Sequence, residues 1–350
     1  MAMETLWFGF AAVMVAIYVV MDGFDFGAGA LHLLVARDNR ERRQVLAAIG
    51  PFWDGNEVWL LAAGGVLFLA FPKVLGSGLS GFYLAIFLFL WVLILRGISI
   101  ELRSHVEDSM WRSFWDTAFT AASALAPVLL GAALGNVVRG VPVNRDGWFA
   151  LPFFDSFRPD AGLGILDWFT VLYGVVALVA IAHHGALFLC WKTDGGPRER
   201  SLRLAKWLFP ATVGLWIVAI VATWRVAPEA LSGLVTRPLV WLSTAVFLGG
   251  LATSYLARRQ SRDLLAFVGS GAFLLGQLAA IAASVYPVWL RSTLDPAWSL
   301  TAINAAAAPS SLRAGLLWWP VGFVLAIGYF AVLFRIHRGK AVAAKGHDGY

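Results

Sequence analysis

The sequence is poor in cysteine and in charged residues. It has one cysteine, Cys190, in 350 residues, so a single chain can form neither an internal disulfide nor a cysteine-ligated zinc or iron–sulfur centre. Charged residues make up only 14% of the chain and hydrophobic residues 59%, whereas a soluble domain has about 25% and about 45–50%. A water-soluble globular protein and a disordered chain are therefore both excluded.

Histidine is scarce too: the chain has six histidines, and their positions do not suit a pair of axial heme ligands on facing helices. Only His183 and His184 lie well inside an apolar stretch, and adjacent residues of a helix point about 100° apart. Such a pair cannot supply both axial ligands of one iron, so we expect each to be a core or interface residue. The sequence predicts no metal site and no heme ligated by this chain.

Long apolar stretches are what the chain has in abundance. A membrane-crossing helix needs about 20 mostly apolar residues. Nine such stretches occur, at approximately 5–35, 44–71, 79–99, 116–136, 162–191, 205–226, 238–257, 264–289 and 314–336. Short charged joints separate them. We predict an all-α integral membrane protein with nine transmembrane helices.

Lysine and arginine are distributed unevenly over the joints. Successive joints lie on alternate sides of the membrane. One side holds 18 of the 27 lysines and arginines, in joints 37–43, 100–115, 192–206 and 258–262 and in the tail from Arg335. The joints on the other side hold eight, and Arg96 lies inside a span. Cytoplasmic joints carry the basic excess. We therefore expect the N-terminus outside, the C-terminus in the cytoplasm and residues 341–350 as a cytoplasmic tail. The net charge of +6 then reflects membrane topology and not nucleic-acid binding.

Acidic residues inside apolar stretches make the first 120 residues the informative half. Asp22 and Asp25 share one helix face, as do Asp54 and Glu57, which follow a predicted helix break at Pro51. An ionisable group inside a membrane costs about 3 kcal/mol, so it faces a partner, a cofactor or a water path. The alternative for Asp22 and Asp25 is a helix end with two solvated acids, and for Asp54 and Glu57 it is a kinked helix end whose acids cap the next segment. The sequence leaves these interpretations open.

Two features predict how these segments contact each other. Arg96 either snorkels to the interface or pairs with a buried carboxylate, and we expect pairing, with Asp25 or Asp54 as the partner. Gly23 and Gly27 form a small-xxx-small pair on the first span. Such a pair lets another helix approach closely.

Four runs of residues carry a family resemblance. They are MDGFDFG at 21–27, GPFWDGNEVWL at 50–60, SGFY at 80–83 and GNVVRGVP at 135–142. In order and spacing they resemble subunit II of the cytochrome bd quinol oxidases, densely over 1–145 and more thinly beyond. The resemblance implies two four-helix bundles plus one peripheral helix. We expect 1–145 to form the N-terminal bundle with the acidic motifs and 146–340 the C-terminal five-helix part.

The resemblance also implies a function in the bacterial inner membrane. In this family, subunit I binds two hemes b and a heme d, oxidises quinol and reduces oxygen to water. Subunit II, inactive alone, supports assembly of subunit I and contributes to a cytoplasmic proton path, and in some members it holds a structural quinone. The implied partners are subunit I, quinol, membrane lipid and, in some complexes, a small single-span accessory subunit, with no nucleic acid.

Individual residues match family positions. Asp54 resembles the acid of the proton path between the subunits, and Glu57 departs from the glutamine common at its position. Three further residues are candidates for the proton relay: Asp25, Glu57 and Glu101. Three others match positions near the hemes of the partner subunit, without being axial ligands: Trp53, Arg96 and Asp116.

Two other functions are compatible with buried acids. Ion-coupled secondary transporters also have broken helices and buried acids, but they usually show corresponding motifs in both halves. Here the acidic runs have no counterpart after residue 160. A purely structural scaffold, whose buried charges only pair with one another, needs the same residues as a proton path, so this alternative stays open.

Overall fold

The computed structural model describes residues 2–342, which fold almost entirely into α-helices. The predicted all-helical membrane class is confirmed. A short antiparallel hairpin, β1 (Val288–Leu290) and β2 (Leu300–Thr301), and two 3-10 helices, Pro228–Leu231 and Pro296–Trp298, interrupt the helices. The helices are α1 (Ala2–Ala30), α2 (His32–Val35), α3 (Asn39–Ile49), α4 (Trp53–Ala70), α5 (Pro72–Gly81), α6 (Tyr83–Leu102), α7 (Ser109–Arg139), α8 (Trp168–Lys192), α9 (Gly195–Val226), α10 (Gly233–Thr236), α11 (Pro238–Arg259), α12 (Asp263–Val285) and α13 (Pro309–Ile336).

Eight helices of the described chain are long and apolar enough to cross a membrane. They are α1, α6, α7, α8, α9, α11, α12 and α13, and they overlap eight of the nine predicted spans. The pair α4 and α5 passes the same test only when taken together, and it is bent by 119°. It is either a broken span or a re-entrant loop. Of the predicted tail, residues 343–350 lie outside the described residues.

The second predicted span, 44–71, is not one continuous helix. α3 ends at Ile49 and α4 begins at Trp53. Pro51 lies between them, and because it has no amide hydrogen and clashes with the preceding turn, it disfavours a continuous helix at this point. Asp54 therefore lies in the first turn of α4.

α1 is the helix on which both halves of the chain converge. It packs against α4 and α7 of the first half and against α8 and α12 of the second. Its crossing with α8 is close: a Cβ atom on Gly27 would lie 2.1 Å from the Ile181 carbonyl oxygen, and one on Gly185 would lie 2.3 Å from the Gly27 carbonyl carbon. The predicted close approach at Gly27 is confirmed. Such a crossing fixes the rotation of α1 and hence the direction of its acidic face.

The basic joints meet at one end of the bundle, here called the basic end. Arg200 Nη2 lies 2.5 Å from Glu41 Oε2, and Arg198 Nη2 lies 2.9 Å from Asp263 Oδ2. Partial burial opposes ionisation of Glu41, but hydrogen bonds from Arg200 and from the Arg37 amide outweigh it and lower the pKa of Glu41. These contacts confirm that joints far apart in sequence share a side.

The C-terminal segment ties α13 to this end. Lys192 Nζ donates to the carbonyl oxygens of His337 and Gly339, and the Ala341 amide donates to the Lys192 carbonyl at 2.7 Å. The Phe334 ring stacks on Phe52 with centroids 4.7 Å apart. The segment therefore packs directly against the break between α3 and α4, which precedes Asp54.

The opposite end is covered by the β1–β2 hairpin and by segment 141–167. Arg139, the last residue of α7, forms a buried ion pair with Asp167, and its Nη2 donates to Asn136 Oδ1 at 2.6 Å. Asp167 also caps α8, where its side chain accepts from the Thr170 amide at 3.0 Å. The ion pair thus joins the end of α7 to the start of α8.

Candidate functional site

Buried ionisable side chains lie between α1, α4 and α6. Asp22 and Asp25 on α1 and Arg96 on α6 are each 0% exposed, and Arg96 Nη2 lies 2.8 Å from Asp22 Oδ1. Together with Asn56 and Glu57 of α4, these residues are called the acidic cluster. Ionisable groups within membrane helices are rare and mark functional sites.

The local sequence explains this geometry. Asp22 and Asp25 are three residues apart, so both carboxyl groups project from one face of α1. The Arg96 guanidinium carbon lies 4.3 Å from the centroid of the Phe26 ring and 6.0 Å from that of the Trp53 ring. Aromatic rings of two helices thus cover the cation, a favourable arrangement for a desolvated guanidinium. Arg96 therefore does not snorkel to the interface.

Asp25 is held by Asn56. The Asn56 side-chain amide donates to Asp25 Oδ2 at 2.7 Å and to the Met21 carbonyl at 2.9 Å. Asn56 can reach α1 because α4 begins only three residues earlier, after the break at Pro51. Within residues 2–342, the other carboxyl oxygen of Asp25, Oδ1, is buried and has no hydrogen-bond partner. A buried oxygen of this kind is a site for a water molecule or a proton.

Glu57 and Asp54 connect the acidic cluster to the surface of the chain. Glu57 Oε1 lies 3.9 Å from Arg96 Nη2, and the Glu57 side chain is 28% exposed. Asp54, three residues earlier and on the same face of α4, is exposed. Three carboxyl groups, those of Asp22, Asp25 and Glu57, thus surround one guanidinium, so a bound proton would bring the cluster closer to neutrality.

The predicted pairing of Arg96 with a buried carboxylate is confirmed, but the predicted partner is wrong. We expected Asp25 or Asp54, and the structure pairs Arg96 with Asp22. Asp25 instead binds Asn56, and the break before α4 leaves Asp54 exposed. Because Asp22 and Asp25 share one helix face, their spacing alone could not distinguish them.

A second buried cluster, called the Asp116 cluster, lies at the basic end. Asp116 is 1% exposed, and its carboxylate accepts from Arg103 Nε at 2.6 Å, His32 Nε2 at 2.7 Å and Arg42 Nη1 at 2.8 Å. These residues come from α7, from the end of α6, from α2 and from α3. One carboxylate therefore links four segments that are distant in sequence.

Sequence reasoning identified Asp116 but missed its three partners. Arg42 and Arg103 lie in the basic joints 37–43 and 100–115, which are expected to face the cytoplasm. The sequence does contain a signal for this cluster. Asp116 stands at the start of a predicted span, and the predicted topology brings two basic joints, 37–43 and 100–115, to the same end as Asp116. Glu101, predicted as a relay candidate, has an exposed side chain.

The adjacent histidines of α8 are buried core residues, as predicted. His184 Nδ1 lies 2.6 Å from Ser270 Oγ, and Nε2 lies 3.0 Å from the Val20 carbonyl oxygen. The His183 ring packs edge-on against Phe209. Both nitrogens of His184 are thus engaged within the chain. Over the described range, no group of three His, Cys, Asp or Glu side chains is arranged to hold a metal ion.

Comparison with known proteins gives consistent matches over most of the chain. A family model described as cytochrome bd terminal oxidase subunit II matches residues 3–337. The cytochrome bd-I ubiquinol oxidase subunit 2 of Escherichia coli K12 is 30% identical over 342 residues, covering 90% of this chain and 88% of the relative. The cytochrome bd ubiquinol oxidase subunit 2 of Bacillus subtilis is 29% identical over 313 residues, covering 89% of each.

A solved structure shows the same fold. A chain of the bd oxidase from Geobacillus thermodenitrificans superposes with a TM-score of 0.75 and covers 96% of this chain and 98% of its own length. Its sequence identity is 19%, so this likeness supports the fold alone.

Proposed function

The chain belongs to the cytochrome bd terminal oxidase subunit II family, and we propose that it serves as subunit II of a membrane complex that oxidises quinol and reduces oxygen to water. It is a multi-pass protein of the bacterial inner membrane and a subunit of an oxidoreductase complex. The proposed partner is a subunit I, whose assembly this chain supports.

The proposed topology has nine spans. The bent pair α4 and α5 would count as the ninth, with the basic end in the cytoplasm because that end carries the lysine and arginine excess. The N-terminus would then be outside. We further propose an N-terminal bundle over 1–145, a C-terminal part over 146–340 and a peripheral α13. A structural quinone and a small accessory subunit, found in some family members, stay predictions for this chain.

The two hemes b and the heme d of such a complex are proposed to be ligated by subunit I. Two of the described histidines are engaged within the chain: His184 through both ring nitrogens, and His32 through Nε2, which binds Asp116. The chemistry supplied by the hemes is electron transfer and oxygen reduction. The contribution of this chain is therefore proposed to concern protons and packing.

We predict that the chain produced without its partner inserts into the membrane and carries no stoichiometric heme. The visible spectrum of the purified chain tests this, with the spectrum of the complete complex as the positive control. A spectrum with one heme per chain that disappears in His183→Ala or His184→Ala would show that this chain ligates heme.

The observation that supports a proton path is the series of carboxyl groups from surface to interior. Asp54 is exposed, Glu57 is 28% exposed, and Asp22 and Asp25 are fully buried. We propose that Asp54 collects protons from the cytoplasmic side and passes them to Glu57. The unpartnered Asp25 Oδ1 is proposed as the next position to hold a proton.

The charge balance suits such a transfer. Three carboxyl groups around Arg96 repel one another when they are ionised, so a proton that neutralises one of them relieves the repulsion. A single carboxylate paired with Arg96 would instead stay ionised and would not take up a proton. Trp53, which packs near Arg96, is proposed to face the partner beside this route. Glu101, exposed at the end of α6, remains a further relay candidate.

A structural scaffold is the second candidate. It is favoured by the closed geometry of the Asp116 cluster, in which three cationic or hydrogen-bonding side chains satisfy one carboxylate. With a carboxylate that is 1% exposed, Asp116 fits a structural role better than contact with a heme of the partner. The acidic cluster, by contrast, has buried carboxyl oxygens of Asp22 and Asp25 without a hydrogen-bond partner among the described residues, and it has a partly exposed member, Glu57.

The experiment is to change Asp54 to Asn in the complete complex. Asparagine keeps the shape and hydrogen bonding of Asp54 but cannot exchange a proton. We expect the complex to assemble with its hemes and quinol-driven oxygen uptake per heme d to fall by about tenfold or more, since a positioned proton-transfer group contributes at least that much. Asp54→Glu should partly restore the rate.

Glu199→Gln is the matched control, because Glu199 is another exposed carboxylate at the basic end. We expect this variant to keep the wild-type rate. Unchanged turnover in Asp54→Asn would refute the relay. Loss of heme in that variant would assign Asp54 to the scaffold function instead.

A further inference from the structure

Unpaired basic residues collect at the basic end beside α9 and α11. Over residues 2–342, no carboxylate pairs with any of five basic side chains there: Arg203 and Lys206 of α9, Arg258 and Arg259 of α11, and Arg262 of the following turn. Of the acids nearby, Asp263 is engaged by Arg198 at 2.9 Å, and Glu199 is exposed. The surface therefore has an uncompensated positive charge.

The contact between helices α9 and α11 lies directly below this surface. α9 packs on α8, and α11 packs on α12. Ring pairs bridge α9 and α11: Phe209 lies 5.0 Å from Tyr255, and Trp216 lies 4.6 Å from Phe247, between ring centroids. The helices thus meet through aromatic side chains at two levels, about two helical turns apart.

The basic side chains stand at the outer end of the α9–α11 contact. α9 begins and α11 ends at the basic end, so one turn outward from the Phe209–Tyr255 contact leads to Lys206 on α9 and to Arg258 and Arg259 on α11. The three cations therefore lie at about the same level.

Tyr255 contacts both Arg258 and Arg259. Both guanidinium groups lie over its ring, at 5.7 Å for Arg258 and 5.5 Å for Arg259, and Arg259 Nη1 donates to its hydroxyl at 3.3 Å. Arg258 Nε is buried and, within the described residues, has no hydrogen-bond acceptor.

We propose that the outer end of the α9–α11 contact binds an anionic phospholipid, with its phosphate on Arg258, Arg259 and Lys206 and an acyl chain along the outer surface of the aromatic ring pairs. Guanidinium groups match the oxygens of a phosphate in a bidentate manner, and basic pockets between transmembrane helices at the cytoplasmic face suit acidic headgroups. A zwitterionic lipid brings its own cation next to the three basic side chains and should bind more weakly. The site is independent of the proposed proton path.

The test titrates the full-length chain, purified with its partner and stripped of lipid in detergent, with phosphatidylglycerol and counts bound lipid by native mass spectrometry. We expect the wild-type complex to bind phosphatidylglycerol in preference to phosphatidylcholine. Each basic residue at a membrane surface contributes about fivefold, so R258Q/R259Q should weaken phosphatidylglycerol binding by about 25-fold. The exposed K206Q should weaken it by about fivefold.

The matched control is R37Q/R40Q, which removes two exposed charges from the same end but away from α9 and α11. It should leave lipid binding unchanged. Equal weakening by both double variants would show only a general surface charge effect and overturn the site, as would unchanged binding in R258Q/R259Q. Displacement of the lipid by an equal concentration of inorganic phosphate would overturn the acyl-chain part. If R258Q/R259Q fails to assemble, K206Q alone tests the site, and unchanged phosphatidylglycerol binding in K206Q would overturn it.

Discussion

Arg96→Leu is expected to prevent recovery of an assembled, heme-loaded complex. The substitution leaves the Asp22 carboxylate fully buried without its cation, and breaking a buried ion pair by removing one partner costs about 3–5 kcal/mol. That loss is a large part of the total stability of a typical domain, about 5–15 kcal/mol. Detergent-extracted complex, quantified by gel filtration and by its heme spectrum, measures the effect.

A second substitution should identify the partner of Arg96. Adding Asp22→Asn to Arg96→Leu removes the orphaned charge, so assembly should recover in part. Adding Asp25→Asn should restore less, because Asp25 binds Asn56 and is not the direct partner of Arg96. Equal rescue by both substitutions would mean that the cluster responds only to its total charge.

Two further variants complete this experiment. Arg96→Lys keeps the charge but loses the planar guanidinium, so it should be milder than Arg96→Leu. Arg112→Leu removes an arginine that is partly exposed and pairs only loosely, with 3.9 Å to Glu107, so it should assemble normally. If Arg96→Leu assembles with full hemes and wild-type thermal stability, the pairing has no structural importance.

The helices were predictable because hydropathy decides where an apolar stretch can cross a membrane. The close approach at Gly27 was predictable for a similar reason, since small residues four apart leave a groove on a helix whatever partner fills it. The boundaries of the second span were not. Pro51 was recognised as a break, but its consequence, a separate amphipathic α3 and an exposed Asp54, depends on how the chain packs after the break.

The ion-pair partners were the least predictable part of the site. A buried charge in the sequence indicates that a partner exists, and the Arg96 prediction was correct to that extent. Which carboxylate it is depends on the rotation of α1, which the Gly27–Gly185 crossing sets through contacts with α8. Asn56 was visible in its motif, but its bond to Asp25 depends on the α1–α4 packing.

The Asp116 cluster is the second place where a large effect is expected. Asp116→Leu should destabilise the chain by about 3–5 kcal/mol, chiefly through Arg103, which is 2% exposed and would be left buried without a counter-charge. Arg42 is 25% exposed and can turn toward water, and His32 can remain as a neutral ring. Thermal inactivation of the assembled complex measures the loss.

The double variant Arg103→Met/Asp116→Leu separates a structural cluster from a functional one. Replacing both members of a buried pair with apolar residues of similar volume is often neutral or stabilising, so the double variant should regain most of the stability lost in Asp116→Leu. If Asp116 only holds α2, α3, α6 and α7 together, quinol-driven oxygen uptake per heme d should return with it. Recovered stability without recovered turnover would instead make Asp116 part of the proton route, because the packing would be repaired while the carboxylate stayed absent.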